Sequence, residues 1–98
     1  MLDITELYLV LKVLFPELII TCAGTQVYVY CKSQSHPLAG VYIPKDKLDT
    51  ICVFIHKKTG VKYSKTIVDR LSSIAILKKE PSYYSDCYLY SGEILWLI

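Results

Sequence analysis

The feature that most restricts the fold of this chain is a pair of alternating apolar segments on either side of a glycine turn. Residues 18–22 and 26–32 alternate apolar side chains with others, and only three residues separate them. Glycine supplies the backbone freedom that a tight hairpin turn needs, so Gly24 is expected in the turn and Cys22 opposite Val27. Alternation then places one set of side chains on a single face: Leu18, Ile20, Cys22, Val27, Val29 and Cys31. An antiparallel sheet with one buried face is therefore predicted.

Two further segments carry the spacing of amphipathic helices. In residues 4–15 apolar side chains recur at i, i+3, i+4 and i+7, Asp3 or Thr5 can cap the start, and Pro16 ends the helix. In residues 64–77 the first residue, a serine, is expected as the N-cap. The buried positions are expected to be Leu7, Val10, Leu11 and Leu14 in the first helix, and Ile67, Leu71, Ile74 and Ala75 in the second.

The segment 44–60 allows two interpretations. Residues 39–43, just before it, have the pattern of a third short strand. As a helix, the segment has Pro44 at the first position, lysines at the end and Gly60 beyond them, which is favourable helix-end chemistry. As a strand, residues 50–55 are a run of β-forming residues after a polar turn. The pattern leaves both interpretations open.

The chain is predicted to close with two strands, residues 87–90 and 94–98, joined by a turn at residues 91–93. All the elements together predict an α+β fold, a single small domain over residues 1–98 with antiparallel strands or hairpins and two or three helices. Because 53% of the 98 residues are hydrophobic, the chain has enough apolar material for a core.

Composition argues against membrane insertion and secretion. The longest apolar stretch, residues 7–23, contains Lys12, Pro16 and Glu17, which do not fit a hydrocarbon layer, so no membrane partner is expected. The acidic start lacks the pattern of a signal peptide, which predicts a cytoplasmic location, in the host cytoplasm if the source is viral. The chain has no Asn and one Met, a depletion typical of thermophiles, so an archaeal or viral source is expected.

The sequence carries no pattern of catalytic chemistry. Its four cysteines lie far apart without a Cys-x-x-Cys pair, so buried free thiols are expected and no metal site. His36 and His56 stand alone, with no nucleophile motif beside them. We therefore expect a protein that is not an enzyme, has no catalytic residues and needs no cofactor, and we infer no small-molecule substrate.

Positive charge is concentrated in one part of the chain. Seven of the eleven basic residues lie between Lys57 and Lys79, where Asp69 is the only acid, so this stretch carries +6 (7 − 1) while the whole chain carries +2. A basic run around a turn and a helix is the electrostatic pattern of a DNA-binding element. The expected DNA-binding residues are Lys57, Lys58, Lys62, Tyr63, Lys65, Thr66, Arg70, Lys78 and Lys79.

With the helical interpretation of residues 44–58, the stretch 48–90 resembles a winged helix-turn-helix domain. Residues 55–61 would then close the first helix, residues 62–66 would open the recognition helix, and residues 76–90 would form the wing. The resemblance implies a small transcriptional regulator, acting as a homodimer, that inserts this second helix into the major groove of double-stranded DNA.

In such domains lysines contact phosphates, so the resemblance implies that Thr66 and Arg70 are the residues able to read base edges. The seven-residue interval from Gly60 to Ile67 is more typical of the ribbon-helix-helix family. In that family residues 41–44 would form the ribbon.

The strand interpretation leads to a different resemblance. The order of elements is then similar to that of restriction-endonuclease-like nucleases, which hold a metal with two carboxylates beside a lysine. In this chain Ala39 and Gly40 occupy the position of the first metal-binding acid. Residues 55–57 occupy the position of the second acid and its lysine, and they contain no acid. The resemblance therefore implies an inactive nuclease-like fold.

The nine tyrosines suggest a further function. On alternating strands Tyr28, Tyr30, Tyr42, Tyr88 and Tyr90 would line the sheet face opposite the core. Tyrosine is enriched in protein interfaces because it offers a large contact area at little rotamer cost. We therefore expect an interface that includes Tyr28, Tyr30, Tyr88 and Tyr90, and the competing hypothesis is a protein–protein interaction module of the viral accessory or anti-defence kind.

Overall fold

The structure is a computed structural model, and it describes residues 2–95 of the chain. Two helices and six strands follow one another as α1 (Ile4–Leu14), β1 (Ile19–Ala23), β2 (Gln26–Tyr30), β3 (Ala39–Tyr42), β4 (Thr50–His56), α2 (Val61–Leu71), β5 (Lys78–Glu80) and β6 (Cys87–Glu93). A single 3-10 turn, Lys57–Thr59, joins β4 to α2. The strands form one antiparallel sheet in the order β1-β2-β3-β4-β6-β5. The predicted α+β class is confirmed.

Helix α1 begins and ends close to where the sequence predicts. The Asp3 side chain accepts a hydrogen bond from the Glu6 backbone N–H at 2.8 Å, and the Glu6 side chain reaches back to the Asp3 N–H, which completes a capping box. Leu14 is the last helical residue, two before Pro16. Leu7 and Leu11 are fully buried and pack the helix against the first two strands.

The β1–β2 hairpin has the predicted register. Cys22 lies opposite Val27, and Gly24 in the turn has a φ of +62°, a conformation that glycine adopts without steric cost. The prediction for the cysteines is wrong in one respect. All four are free thiols, but Cys22, in the edge strand β1, is exposed and the other three are half-buried.

Segment 50–56 is a strand, so its helical interpretation is wrong. Its burial alternates residue by residue, with Ile51, Val53 and Ile55 fully buried, which is the period of a strand and not of a helix. β4 lies in the middle of the sheet, paired with β3 on one side and β6 on the other. Its β-branched side chains gain cross-strand packing there, which outweighs the favourable helix ends around Pro44 and Gly60.

Helix α2 is displaced towards the N-terminus relative to the predicted range 64–77. It begins at Val61, after Gly60, and ends at Leu71. Ser72 and Ser73 end it, because their hydroxyls donate to the carbonyls of Val68 and Arg70 at 2.7 Å and so compete with the helical backbone pattern.

The C-terminal hairpin differs from the prediction. The expected turn at residues 91–93 lies within the continuous strand β6, whose hairpin partner is β5 and not residues 94–98. Ile94 forms one bridge to Ala75, and residues 96–98 of the predicted strand lie outside the described residues. The chain between α2 and β5 runs antiparallel beside β6 and comes very close to it at Gly92, where a Cβ atom would stand 1.6 Å from the Ile76 carbonyl oxygen.

The two faces of the sheet are different. One face, covered by α1 and α2, holds the core, to which the strands contribute Ile20, Val27, Val29, Ala39, Val41, Ile51, Val53 and Ile55. No helix covers the other face in residues 2–95, and we call it the open face. Neither helix in the described part of the chain is long and apolar enough to cross a membrane.

Candidate nucleic-acid interface

The turn before α2 holds the start of that helix at the surface. Thr59 is buried, and its hydroxyl donates to the Leu38 carbonyl at 2.9 Å, which fixes the 3-10 turn to the chain that enters β3. Gly60 then redirects the backbone with a φ of +86°, a conformation that costs glycine little. The first turn of α2 is therefore exposed, and Lys62 and Lys65 point away from the core.

A groove of about 420 Å³ lies between α2 and strand β6. Tyr88 and Tyr90 form part of its floor, because α2 leaves this end of the helix-covered face uncovered. Lys57 and Lys79, from two different elements, both place their ammonium groups over the Tyr88 ring, 5.3 and 4.3 Å from its centroid. The two distances limit the separation of these ammonium groups to 9.6 Å. Lys65 lines the same groove, so three positive charges converge on it.

A cleft of about 410 Å³ follows the opposite flank of α2, beside the end of β2. Lys62 and Lys32 line it together with Tyr63. The Tyr63 hydroxyl lies 3.9 Å from Cys31 Sγ, and Ser33 Oγ lies 3.4 Å from the same sulfur. Hydrogen bonding by Ser33, followed by that of Tyr63, lowers the pKa of the Cys31 thiol.

Arg70 at this cleft is engaged within the protein. Its guanidinium forms a two-point ion pair with the Glu17 carboxylate, with the Nη2–Oε2 contact at 2.7 Å, and also donates to the Leu14 carbonyl at 3.1 Å. Its Cζ lies 5.4 Å from the centroid of the Phe15 ring. These contacts tie α2 to the end of α1. The Arg70 hydrogen bond lowers the pKa of Glu17 to about 2.

Five lysines therefore flank or cap the exposed half of α2, and we call them the basic surface: Lys32, Lys57, Lys62, Lys65 and Lys79. Within residues 2–95, no carboxylate lies within 4.0 Å of any of these ammonium groups. Asp69 lines the groove between α2 and β6, and Glu17 in the cleft on the opposite flank is paired with Arg70. The basic surface thus presents a positive charge that the described acids do not pair.

The expected DNA-binding residues are divided by the structure. Lys57, Lys62, Tyr63, Lys65 and Lys79 lie around the exposed half of α2. Thr66 lines the cleft, but its hydroxyl donates to the Lys62 carbonyl at 3.0 Å.

Two of the expected lysines lie elsewhere. Lys58 borders a depression formed with the loop 33–37, and Lys78 alternates onto the open face, opposite Ser91. Lys32 is not among the DNA-binding residues expected from the sequence, because strand alternation predicts its side chain on the sheet face opposite the core. β2 ends at Tyr30, two residues earlier, so the alternation does not extend to Lys32 and no sequence signal replaces it.

The tyrosines expected to share one interface lie on two faces. Tyr28 and Tyr30 are on the open face, whereas Tyr88 and Tyr90 pair with Ile55 and Val53 and so share the helix-covered face. The expectation is wrong because it counted alternation in each strand separately. Pairing between β4 and β6 sets their relative register, and a shift of one residue exchanges the faces.

The winged helix-turn-helix resemblance depended on a helix at residues 44–58. In the structure this region is a loop followed by β4, and only the one-turn segment Lys57–Thr59 precedes α2 as a helix. The ribbon proposed for residues 41–44 overlaps β3, which is an inner strand of the sheet paired on both sides.

His56 is the histidine with the most organised surroundings. Its Nδ1 accepts the Lys58 backbone N–H at 3.1 Å, and its Nε2 lies 3.5 Å from the Asp86 carboxylate. Both ring nitrogens of His56 therefore have a partner within the protein. Within residues 2–95 no three His, Cys, Asp or Glu side chains converge in a metal-binding group.

Comparison with models of known protein families, with curated protein sequences and with solved structures gives no match to this chain.

Proposed function

We propose that this protein binds double-stranded DNA through the basic surface, without chemistry. The observation that carries the proposal is the convergence of Lys57 and Lys79 on the Tyr88 ring, beside Lys65 and the exposed start of α2. Like charges held within 9.6 Å of each other repel, and an anion between them relieves that repulsion. The phosphate groups along a DNA backbone are anions of this kind, and lysines that contact them release bound counterions.

The proposed contacts are mainly to phosphates. Lysine is a point charge that binds phosphate without reading the base, and the two candidates for base readout, Thr66 and Arg70, make hydrogen bonds within the protein. Sequence-specific regulation of transcription, the role predicted from the sequence, would need additional base contacts from residues around Tyr63 at the start of α2. Competition between unlabelled duplexes of different sequence tests that narrower role.

The test is fluorescence anisotropy of a labelled mixed-sequence duplex at several salt concentrations. If all five lysines of the basic surface contact phosphates, the slope of log K against log salt is about −4.5, at about 0.9 per contact. Affinity then falls by roughly 500-fold between about 50 and 200 mM salt. Replacing Lys65 or Lys79 by Gln should reduce the slope by about 0.9 each.

Lys45→Gln is the matched control, because Lys45 is exposed and lies outside the basic surface. It removes the same charge and should leave the slope unchanged. Absence of binding at low salt, or an equal effect of Lys45→Gln and Lys65→Gln, would contradict the proposal.

A further inference from the structure

The open face of the sheet has the character of a protein interface. Tyr42 and Phe54 stack with ring centroids 5.9 Å apart and planes 15° apart, and Tyr84 meets Phe54 edge-on at 5.5 Å. Tyr28 continues the aromatic surface, since its ring lies over Gly40, 3.4 Å from where a Cβ would be. Leu89 lies beside Phe54 in the same row. Within one copy of the chain Tyr84 is exposed and the other side chains of this aromatic face are half-buried, and no helix in residues 2–95 covers the face.

The distribution of charge favours a second copy of this chain as the occupant. The strand residues at the centre of the open face are uncharged, and the charged strand residues are at the margins: Lys78 and Glu80 on the edge strand β5 and Glu93 at the end of β6. Two copies placed face to face therefore bring no like charges together at the centre. An apolar centre with a charged rim is the usual composition of a protein interface.

The area of the whole face lies at the low end of the range for specific interfaces. The strands contain 5, 5, 4, 7, 3 and 7 residues, and each strand residue occupies about 16 Å² of a sheet, about 4.8 by 3.3 Å. The face is thus about 500 Å² per copy, or about 1,000 Å² for two copies. That total reaches the lower limit of about 1,000 Å² for specific interfaces.

We propose that two copies of this chain pack sheet against sheet through the open face, and that the resulting dimer bridges two DNA duplexes. Both helices lie on the opposite face of the sheet, so face-to-face packing turns the two α2 helices outward on opposite sides of the dimer. The two basic surfaces then point in opposite directions. They cannot contact neighbouring half-sites on one side of a duplex, as a helix-turn-helix dimer does, and instead each is free to bind its own duplex. The bridging step rests on the function proposed above, whereas the dimer does not.

Three measurements on the full chain test this proposal. Sedimentation equilibrium gives the oligomeric state, anisotropy gives the binding of a single duplex, and a bead assay gives bridging. In the bead assay an immobilised duplex captures a free fluorescent duplex only if one protein particle holds both. The wild type should be a dimer at high protein concentration and should capture the second duplex.

Phe54→Ser should convert the protein to a monomer and abolish capture, while single-duplex anisotropy remains. Tyr28→Ser is the second variant in case Phe54→Ser does not fold, as judged by a cooperative thermal transition. Tyr83→Ser is the control, because Tyr83 is 96% exposed and loses an aromatic ring without a contact. It should behave as the wild type in all three measurements.

The outcomes separate the two proposals. A monomer at every concentration, or a dimer that Phe54→Ser and Tyr28→Ser leave intact, overturns the sheet-to-sheet contact. A dimer that binds duplex but captures no second duplex overturns bridging. A dimer that binds no duplex overturns bridging and the proposed function together, and leaves the sheet-to-sheet contact supported.

Discussion

Gly92 is the position at which one added methyl group should damage the fold most. It lies in β6 opposite Ile51, where the chain between α2 and β5 runs beside the strand and approaches it closely. A Cβ built on Gly92 would be 1.6 Å from the Ile76 carbonyl oxygen and 2.4 Å from its carbon, both backbone atoms. Ordinary van der Waals contact begins at 3.4 Å, so the backbone at Ile76 would have to move by 1.8 Å (3.4 − 1.6).

That displacement would break the hydrogen bonds that hold residues 74–76 beside β6 and the residues after it. The Ile76 N–H donates to the Glu93 carbonyl at 3.0 Å, and the Leu95 N–H donates to the Ile74 carbonyl at 2.8 Å. Losing two such bonds costs about 2 kcal/mol, and the strain of overpacking adds about 1–3 kcal/mol. We therefore expect Gly92→Ala to lower the free energy of unfolding by about 3–5 kcal/mol, a large part of the roughly 5–15 kcal/mol typical of a domain.

The assay is urea unfolding followed by circular dichroism, with Gly24→Ala as the control. Gly24 has a positive φ of +62° but no atom within 4 Å of an added Cβ, so Gly24→Ala tests backbone strain without a clash. That strain costs about 1–2 kcal/mol. If Gly92→Ala destabilises the protein no more than Gly24→Ala does, the close backbone approach at Gly92 is refuted.

Two predictions concern pH. The Arg70 ion pair holds the pKa of Glu17 at about 2, below its usual 4.5, so the stability it contributes is present above pH 4.5 and is lost as pH falls towards 2. Urea unfolding of the wild type and Glu17→Gln should therefore give stabilities that differ at neutral pH and converge near pH 2. A difference that stays constant with pH contradicts this. Desolvation, then hydrogen bonding to Cys52, raises the pKa of Tyr42 from 10.0 to about 12, so the stability linked to its neutral phenol is present below pH 10 and lost as pH rises towards 12. Ultraviolet titration should show a late-ionising phenol that Tyr42→Phe removes. An unchanged titration curve in Tyr42→Phe would exclude the assignment.

Part of the fold is predictable because the deciding interactions are local. The capping box of Asp3 and Glu6 lies within four residues, and the Cys22–Val27 register follows from a two-residue turn. The antiparallel sheet with one buried face follows from period-two alternation in β1 and β2, which any burial of one face requires.

Other elements depended on contacts that are distant in the sequence. The helix-end chemistry at Pro44 and Gly60 is local and favourable, yet β4 forms because β3 and β6 pair with it on both sides. The residues 91–93 resemble a turn, but β6 runs through them because β4 pairs with it on one side and the chain from Ala75 to β5 pairs with it on the other.

The sequence alone determined the α+β class and the concentration of positive charge between Lys57 and Lys79, since both depend on composition and short-range pattern. Only the tertiary structure decided how those charges are used. It brings Lys57 and Lys79 to one ring, adds Lys32, engages Arg70 with Glu17 and turns Lys78 to the open face. The physical reason is strand register. A shift of one residue in pairing exchanges the two faces of a sheet, and that register is fixed by partners far along the chain.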